Sequence, residues 1–311
     1  MTEFSLKTTR WKRQGGTNMR TKIKPIRILI HFVLLGYALA CVLPFLMVVS
    51  GSLSTEADIY ASGYGIWPKH PTFLAYRILL LDAGRIVNAY RISIFVTALG
   101  TIAGLLVNTM MAHAMARRTL KYRNILSIYA LLTMLFSGGL IPWYILCVNV
   151  LHMKNSLFAL LLPPMAGAFN MFLLRNYLQT IPEEMFESAK IEGAGELLIF
   201  WRIILPLSKP VLATVALFMA LMYWNDWFLG LMFIEKQPLQ PLQLLLRTII
   251  SNSDFVRNSP NVGMMRRLAL TLPSEGIKMA VTVITIGPIV FVYPFLQKYF
   301  VKGIMMGAVK G

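Results

Sequence analysis

The chain has 311 residues, of which 57% are hydrophobic and 14% charged, and its formal net charge is +17. This composition lies well away from that of an ordinary soluble domain and predicts a membrane protein. It also argues against nucleic-acid binding, because the basic residues are not gathered on one soluble domain with interleaved aromatic residues.

Six apolar stretches are each long enough to cross a hydrocarbon core, which takes about 20 helical residues. They predict an all-α membrane protein with six transmembrane helices. Residues 26–300 would form that single domain, between a basic cytoplasmic N-terminal segment at residues 1–25 and a cytoplasmic C-terminal tail at residues 301–311. The predicted spans are residues 26–49, 91–116, 125–148, 156–174, 211–233 and 277–296.

Basic residues cluster beside the predicted spans in three places: before the first span, between the second and third, and in the tail. By the positive-inside rule these three segments face the cytosol, and an even number of spans then places both termini there. The polar loop at residues 180–210 falls on the same side. The basic residues are Lys7, Arg10, Lys12, Arg13, Arg20, Lys22, Lys24, Arg27, Arg117, Arg118, Lys121, Arg123, Lys298, Lys302 and Lys310.

Two long connections, residues 51–90 and 234–276, would lie on the opposite side of the membrane. Prolines and glycines interrupt regular structure in both of them. Two interpretations are open. The connections contact an extracytoplasmic solute-binding protein, or they tie the helices together.

The third and fourth spans should be broken helices, because glycine and proline disturb the main-chain hydrogen bonds at membrane depth. Broken helices occur beside a translocation pathway, but packing through small residues with simple kinks explains them equally. The residues concerned are Gly138, Gly139 and Pro142 in the third span and Pro163, Pro164 and Gly167 in the fourth.

The polar loop at residues 180–210 begins with a predicted helix. Thr180 and Glu183 have the spacing of a capping box, which predicts a helix that starts near Ile181. An apolar stripe at four-residue spacing should run along this helix. Its members are Ile181, Met185 and Ala189.

A turn and a second helix follow. Gly193 can take a positive φ and would end the first helix. The second helix is predicted over residues 196–204, before Pro206 and Pro210 at the start of the fifth span. A compact element of this kind fits a groove on a partner protein, and the alternative is an ordinary amphipathic loop at the membrane surface.

The spacing in this loop resembles the conserved cytoplasmic loop of ABC importer membrane subunits, which is E-A-A, three residues, G, nine residues and I-x-L-P. Two departures are Ser188 in place of the middle alanine and Glu192 where aspartate is common. In that family the loop docks on the ATPase subunit, so the resemblance implies a coupling role for these residues. The coupling residues so implied are Glu187, Ser188, Ala189, Glu192, Gly193, Ala194, Ile203, Leu205 and Pro206.

Three further stretches, residues 172–194, 223–228 and 299–311, resemble carbohydrate importers of the maltose-transporter type. The tail is most similar to permeases for poly- and oligosaccharides, oligouronides among them. The resemblance implies a type I importer fold with alternating access, in a bacterial plasma (inner) membrane. It also implies a second homologous permease, two ATPase subunits that hold ATP and Mg²⁺, and an extracytoplasmic sugar-binding protein. No cofactor is expected on this chain itself.

A polar and aromatic cluster within the fifth span is the candidate sugar pathway. Aromatic faces stack on pyranose rings and amide or carboxylate groups bind hydroxyls, while an aspartate at membrane depth needs a partner or water. The alternative is a structural polar contact with the second permease. The residues are Tyr223, Trp224, Asn225, Asp226 and Trp227.

Two other functions compete with the importer. An ion-coupled secondary sugar carrier would also need a polar midplane site, but such carriers usually show inverted repeats, and the chain has no convincing internal duplication. An intramembrane enzyme would need paired acids, a serine with a base, or a metal cluster. No such catalytic or metal site is expected from the sequence.

Overall fold

The computed structural model describes residues 25–258 and 274–287. Most of the basic N-terminal segment, the end of the sixth predicted span and the C-terminal tail lie outside the described residues. The described part is helical and contains no β-sheet, which agrees with the predicted all-α class.

The helices follow one another with short connections. They are α1 (Pro25–Ser52), α2 (Glu56–Ser62), α3 (Leu74–Leu81), α4 (Ala83–Ala116), α5 (Arg123–Leu135), α6 (Leu140–Ile145), α7 (Phe158–Leu161), α8 (Ala168–Leu178), α9 (Glu184–Ile191), α10 (Glu196–Ile199), α11 (Leu205–Leu207), α12 (Lys209–Asn225), α13 (Phe228–Phe233) and α14 (Leu242–Asn258). Two π-helical turns, Leu146–Val150 and Phe200–Ile204, continue α6 and α10, and residues 274–287 form a further helix.

The chain divides into two compact units, one up to Leu46 and the other from Met47 onward. The first unit contains most of α1, whose large apolar side chains are exposed along its length. All the packing described below belongs to the second unit.

Helix α4 is the centre of the second unit and packs against both α12 and α8. At about 1.5 Å per residue its 34 residues extend about 50 Å, so it exceeds a hydrocarbon core of about 30 Å. It begins at Ala83, earlier than the predicted start at residue 91. The spacing prediction missed this extension because residues 83–90 are less apolar, although Ala89 is buried there.

Two glycines let α4 and α12 approach closely. A Cβ added at Gly100 would lie 2.4 Å from the Tyr223 ring, and one at Gly104 would lie 2.0 Å from the Met219 methyl carbon. Only the absence of a side chain at both positions allows this contact. The second and fifth predicted spans are therefore held together by a four-residue glycine repeat.

The predicted breaks in the third and fourth spans are confirmed. Helix α5 ends at Leu135 and α6 begins at Leu140, with a bend of 113° between the two parts of the third span. Gly139 takes a φ of +87° at this break. In the fourth span α7 ends at Leu161 and α8 begins at Ala168.

One side chain from α4 forms hydrogen bonds with the main chain at the break in the fourth span. The amide nitrogen of Asn108 donates to the carbonyl oxygens of Gly104 (2.6 Å) and Met165 (2.8 Å). Its amide oxygen accepts the backbone N–H of Gly167 (3.1 Å). Because Asn108 is fully buried and satisfies the main chain here, this break is a packing feature.

Within the described residues, two helices are long and apolar enough to cross a membrane, Leu29–Ser52 and Ala83–Ala116. Two bent pairs qualify if each is counted as one span. The pairs are Arg123–Leu135 with Leu140–Val150, and Glu196–Leu207 with Lys209–Asn225.

The two ends of α4 contact different parts of the chain. Near Ala83, the Asn88 side chain donates to the carbonyl of Pro238 (2.7 Å), and Ser93 Oγ accepts the N–H of Leu242 (2.8 Å). At the other end, Arg117 contacts the segment that contains α9 and α10. The connection after the fifth span and the predicted coupling loop therefore lie at opposite ends of one long helix.

A side chain of α2 caps the helix at residues 274–287. The buried carboxylate of Glu56 accepts the hydroxyl of Ser274 (2.9 Å) and the backbone N–H groups of Glu275 and Gly276 (3.2 and 3.4 Å). The Tyr64 hydroxyl donates to the Glu275 carboxylate (2.8 Å), and burial together with this carboxylate raises the pKa of Tyr64 to about 12. These bonds tie the connection at residues 51–90 to the last described helix.

Candidate functional site

The first helix of the predicted coupling loop begins later than the sequence predicted. Helix α9 begins at Glu184, and the predicted capping box at Thr180 and Glu183 is wrong. The Thr180 hydroxyl donates instead to the carbonyl of Tyr177 (2.8 Å), which continues the end of α8. A hydroxyl bonded backward to its own helix is not available to cap the next one.

The apolar stripe of α9 is also only partly correct. Ile181 and Ala189 pack against the main core, but Met185 is exposed and Phe186 is the buried residue of this helix. The Arg117 guanidinium lies 4.5 Å from the centre of the Phe186 ring. This cation–π contact from α4 draws the aromatic residue inward, a tertiary effect that four-residue spacing within α9 does not reveal.

The turn after α9 follows the prediction. Gly193 has a φ of +85°, its N–H donates to the carbonyl of Lys190 (3.0 Å), and the N–H of Ala194 donates to that of Ala189 (2.9 Å). This pair of bonds is the Schellman arrangement, which requires a left-handed residue at the glycine position. The glycine is therefore needed for its backbone conformation.

The second helix runs from Glu196 through the π-helical turn Phe200–Ile204 to Leu207. This extent includes the predicted residues 196–204 and adds α11. A bend of 83° separates Glu196–Leu207 from α12. The coupling segment, defined here as residues 184–207, is thus a pair of short helices set at an angle to the fifth span.

A charge cluster fixes the coupling segment to the end of α4. The Glu196 carboxylate pairs with Lys190 of α9 (2.7 Å), with Arg117 beyond α4 (3.2 Å) and, at 3.7 Å, with a ring nitrogen of His113. Arg118 also lies 3.7 Å from Glu183. The hydrogen bond from Lys190, followed by the charge of Arg117, holds the pKa of Glu196 below its usual range.

This pKa direction predicts how the charge cluster depends on pH. Because the folded pKa is lowered, the contribution of Glu196 is complete above its unfolded value of about 4.3 and is lost as pH falls through the lower folded value. We expect hydrogen exchange at α9 and α10 to be constant from about pH 7.5 to 8.5, above the ordinary histidine pKa of about 6.5 and so clear of the neighbouring His113, after correction for intrinsic rates. Glu196→Gln should speed exchange at every pH in that window.

Glu192→Gln is the matched control, because Glu192 is exposed and forms no ion pair within the described part of the chain. It should leave the exchange of the coupling segment unchanged. A wild-type transition within that window that disappears in Glu196→Gln would contradict the lowered pKa of Glu196.

The residues of the matched motif separate into two groups. Ala189, Ala194, Ile203 and Leu205 are partly buried and pack against the main core. The other members of the motif are exposed. The exposed members are Glu187, Ser188, Glu192, Gly193 and Pro206.

The outward surface of the coupling segment is also apolar in part. Ile191 at the end of α9 is 87% exposed, and Leu197 on α10 is 69% exposed. A cavity of about 680 Å³ lies beside the start of α9, where Arg117, Arg118 and residues 178–184 line it. A fixed inner face and an exposed apolar outer face are the features expected of a docking element.

The five candidate pathway residues also include both buried and exposed side chains. Tyr223 and Trp224 are buried, and the Tyr223 hydroxyl donates to the carbonyl of Leu161 (2.8 Å). Asn225 and Trp227 are exposed, and the Asn225 amide donates to the carbonyl of Leu221 in its own helix (2.9 Å). Only Asn225 and Trp227 of the five present exposed side chains, while Asp226 is partly buried.

Asp226 ends the fifth helix, which the prediction placed as continuous to residue 233. Its carboxylate oxygen accepts the backbone N–H groups of Phe228 (2.9 Å) and Leu229 (3.1 Å), so it caps α13. The sequence indicated that this carboxylate needs a partner. The partner is the start of the next helix, because an aspartate competes well for free N–H groups at a helix N-terminus.

Three contacts could not be predicted from local spacing: the Asn108 bridge, the Glu196 cluster and a pair between Trp227 and Arg247. Arg247 lies on α14, with its guanidinium carbon 3.7 Å from the centre of the Trp227 ring. A weak sequence signal was an isolated arginine in an otherwise apolar run of α14. Among the described residues no group of three or more His, Cys, Asp or Glu side chains is arranged to hold a metal ion.

Comparison with known proteins gives consistent matches over most of the chain. A family model described as binding-protein-dependent transport system inner membrane component matches residues 91–306. Protein LplC of Bacillus subtilis (strain 168) is 42% identical, over 89% of this chain and 92% of that protein. The polygalacturonan/rhamnogalacturonan transport system permease protein YtcP of the same strain is 38% identical, over 91% of this chain and 98% of that protein.

A solved structure shows the same fold. It is a chain from a crystal structure of a bacterial ABC transporter involved in the import of the acidic polysaccharide alginate. The match has 30% sequence identity and a TM-score of 0.76, and covers 91% of this chain and 100% of the other.

Proposed function

The chain belongs to the family of binding-protein-dependent transport system inner membrane components, and from this membership we propose that it is the permease subunit of an ATP-driven oligosaccharide importer. It has the type I importer fold of that family. ATP hydrolysis would reside in partner ATPase subunits, which hold ATP and Mg²⁺, so this chain is a transport subunit. The family gives no support to the alternative of an ion-coupled secondary carrier.

The coupling segment carries this proposal. Its inner face is fixed to α4 by the Glu196 cluster, and α4 is packed along α12 and α8. Its outer face exposes Ile191 and Leu197. A movement imposed on that outer face by an ATPase would pass through the Glu196 cluster to the long helix at the centre of the fold.

The remaining partners follow from the same proposal. A second homologous permease would complete the pathway, and lipid would cover the exposed apolar surface of the spans. An extracytoplasmic sugar-binding protein would deliver the substrate. Both termini would lie in the cytosol of a bacterial cell whose plasma (inner) membrane contains the complex, because the basic segments then obey the positive-inside rule.

The proposed substrate is an oligosaccharide, with acidic fragments favoured. Support comes from two similar proteins, one a permease of a polygalacturonan/rhamnogalacturonan transport system and the other a chain of a transporter involved in alginate import. Asn225 and Trp227 are the proposed pathway residues of the five, because their side chains are exposed beside the break in the fifth span. Asp226 would position them by capping α13.

Uptake by the complete complex in proteoliposomes tests this function. We expect accumulation of labelled oligosaccharide that requires internal ATP and the binding protein. Asn225→Ala should reduce the initial rate several-fold, about the effect of losing one or two hydrogen bonds to the sugar. Asp226→Asn keeps an oxygen that can accept both N–H groups, so it should retain most of the uptake.

One uptake result would contradict the importer, and another would contradict only the role of Asn225. Uptake that proceeds without ATP or an ATPase would contradict the importer. Normal uptake by Asn225→Ala at equal assembly would contradict the pathway role of Asn225 alone.

A further inference from the structure

Trp227 and Arg247 form a stacked pair at the break between α12 and α13. The guanidinium carbon lies 3.7 Å from the ring centre, which is closer than the other three cation–π contacts among the described residues. Both side chains are exposed. The pair therefore presents a cation and an aromatic ring together on an open surface.

Several residues near the pair along the chain are buried, whereas the pair itself is exposed. On α14, Leu242, Leu244 and Leu245 are buried, whereas Arg247 is exposed. Trp224, the neighbour of the exposed Asn225, packs with Ala89, Leu242 and Leu245. Leu242 and Leu245 of α14 thus pack with Ala89 of α4, and the exposed pair lies outside that packed cluster.

Among the side chains that the structure describes, which stop at residue 252 on α14, no acidic group pairs with Arg247. The nearest carboxylate in sequence to Trp227 is Asp226, which is engaged by the N–H groups of α13. Glu235 is held by Lys154 at 2.7 Å. A stacked guanidinium keeps its edge N–H donors free, and these donors match the two oxygens of a carboxylate.

Snorkelling at a membrane surface is a simpler role for an exposed arginine. A snorkelling arginine extends its stem along apolar surface and its head into water, without needing an aromatic ring under the guanidinium. Here the ring fixes the plane of the guanidinium, which leaves it prepared to bind a planar anion and reduces the entropy lost on binding.

We propose that Arg247 and Trp227 bind the carboxylate of a uronate unit, and that this contact favours acidic over neutral oligosaccharides in the pathway. The proposal rests on the proposed function and deepens it. The guanidinium edge would donate to the carboxylate, and the exposed part of the Trp227 ring would contact the pyranose ring. Asn225, the exposed neighbour of the buried Trp224, would donate to a hydroxyl.

Competitive uptake by the complete transporter tests the pair. The probes are trimers of galacturonate, mannuronate and guluronate, together with the neutral galactose, mannose and gulose trimers of the same linkage. For Arg247→Gln we expect the uptake of the preferred acidic trimer, below saturation, to fall about tenfold, the effect of losing a hydrogen bond to a charged group. Uptake of neutral trimers should change less than about twofold.

Arg77→Gln is the matched control, because Arg77 is an exposed arginine of α3 with no ion pair among the described residues. It removes the same charge and should leave acidic uptake unchanged. Arg247→Lys keeps the charge but loses the planar stack, so it should retain more acidic uptake than Arg247→Gln. All rates are normalised to assembled complex, and Arg247→Lys provides the comparison with wild type if Arg247→Gln assembles poorly.

Failure of the Arg247 and Trp227 pair and failure of the proposed function give different results. The pair's role is overturned if wild type imports neutral trimers and no acidic ones, or if acidic uptake by Arg247→Gln equals that by Arg77→Gln. It is also overturned if Arg247→Gln lowers the uptake of acidic and neutral trimers by the same factor. A wild-type complex that shows no ATP-dependent uptake of any probe would overturn the proposed function itself.

Discussion

Gly193→Val should abolish ATP-dependent uptake, and the ATPase activity that copurifies with the chain should fall with it. The residue has a φ of +85°, a conformation that costs an ordinary residue about 1–2 kcal/mol and a β-branched one more. No atom lies within 4 Å of an added Cβ, so the damage acts through the backbone turn and not through a clash. Loss of the turn would separate α9 from α10 and disturb the surface that bears Ile191 and Leu197.

Gly193→Asn separates the backbone effect from any effect of side-chain size. Asparagine tolerates the left-handed conformation far better than valine. We therefore expect Gly193→Asn to retain most of the uptake and the bound ATPase. Persistent uptake by Gly193→Val without a bound ATPase would instead favour an ion-coupled carrier.

Asn108→Leu should produce a large loss of stability, although it introduces no charge and keeps a side chain of similar size. It would leave the carbonyl of Met165 and the N–H of Gly167 without their side-chain partner in a buried break. Each unsatisfied buried group costs about 1–3 kcal/mol, which outweighs the average of about 0.6 kcal/mol for side-chain hydrogen bonds in membrane proteins. The measurement is the thermal unfolding midpoint and the yield of the complex in detergent.

Thr109→Val is the matched control for that substitution. Thr109 is the next residue on α4 and is equally buried, but its hydroxyl bonds only to the carbonyl of Leu105 in its own helix (2.6 Å). That carbonyl already belongs to the helix ladder, so the change should cost less than about 1 kcal/mol. Equal unfolding midpoints for Asn108→Leu and Thr109→Val would contradict the bridging role of Asn108.

Features determined by one or two neighbouring residues could be predicted from the sequence. Gly193 takes the expected conformation, and the glycines and prolines of the third and fourth spans break their helices. These residues act through their own backbone, independent of distant partners.

Features that depend on distant partners could not be predicted. Phe186 is buried in place of Met185 because Arg117 from another helix lies over its ring. Asp226 ends a helix inside an apolar stretch because the following N–H groups need an acceptor. Sequence spacing treats each helix alone, whereas these choices are made by contacts between elements.

Photocrosslinking at Ile191 tests the coupling claim most directly. A benzoylphenylalanine at Ile191, which is 87% exposed, is compared with one at Trp67, which is 85% exposed and lies in the connection expected on the opposite side of the membrane. In the assembled complex we expect light to join the ATPase subunit to position 191 and not to position 67. An ATP-hydrolysing complex with no ATPase adduct at position 191, or with one at position 67, would contradict the assignment of the coupling segment.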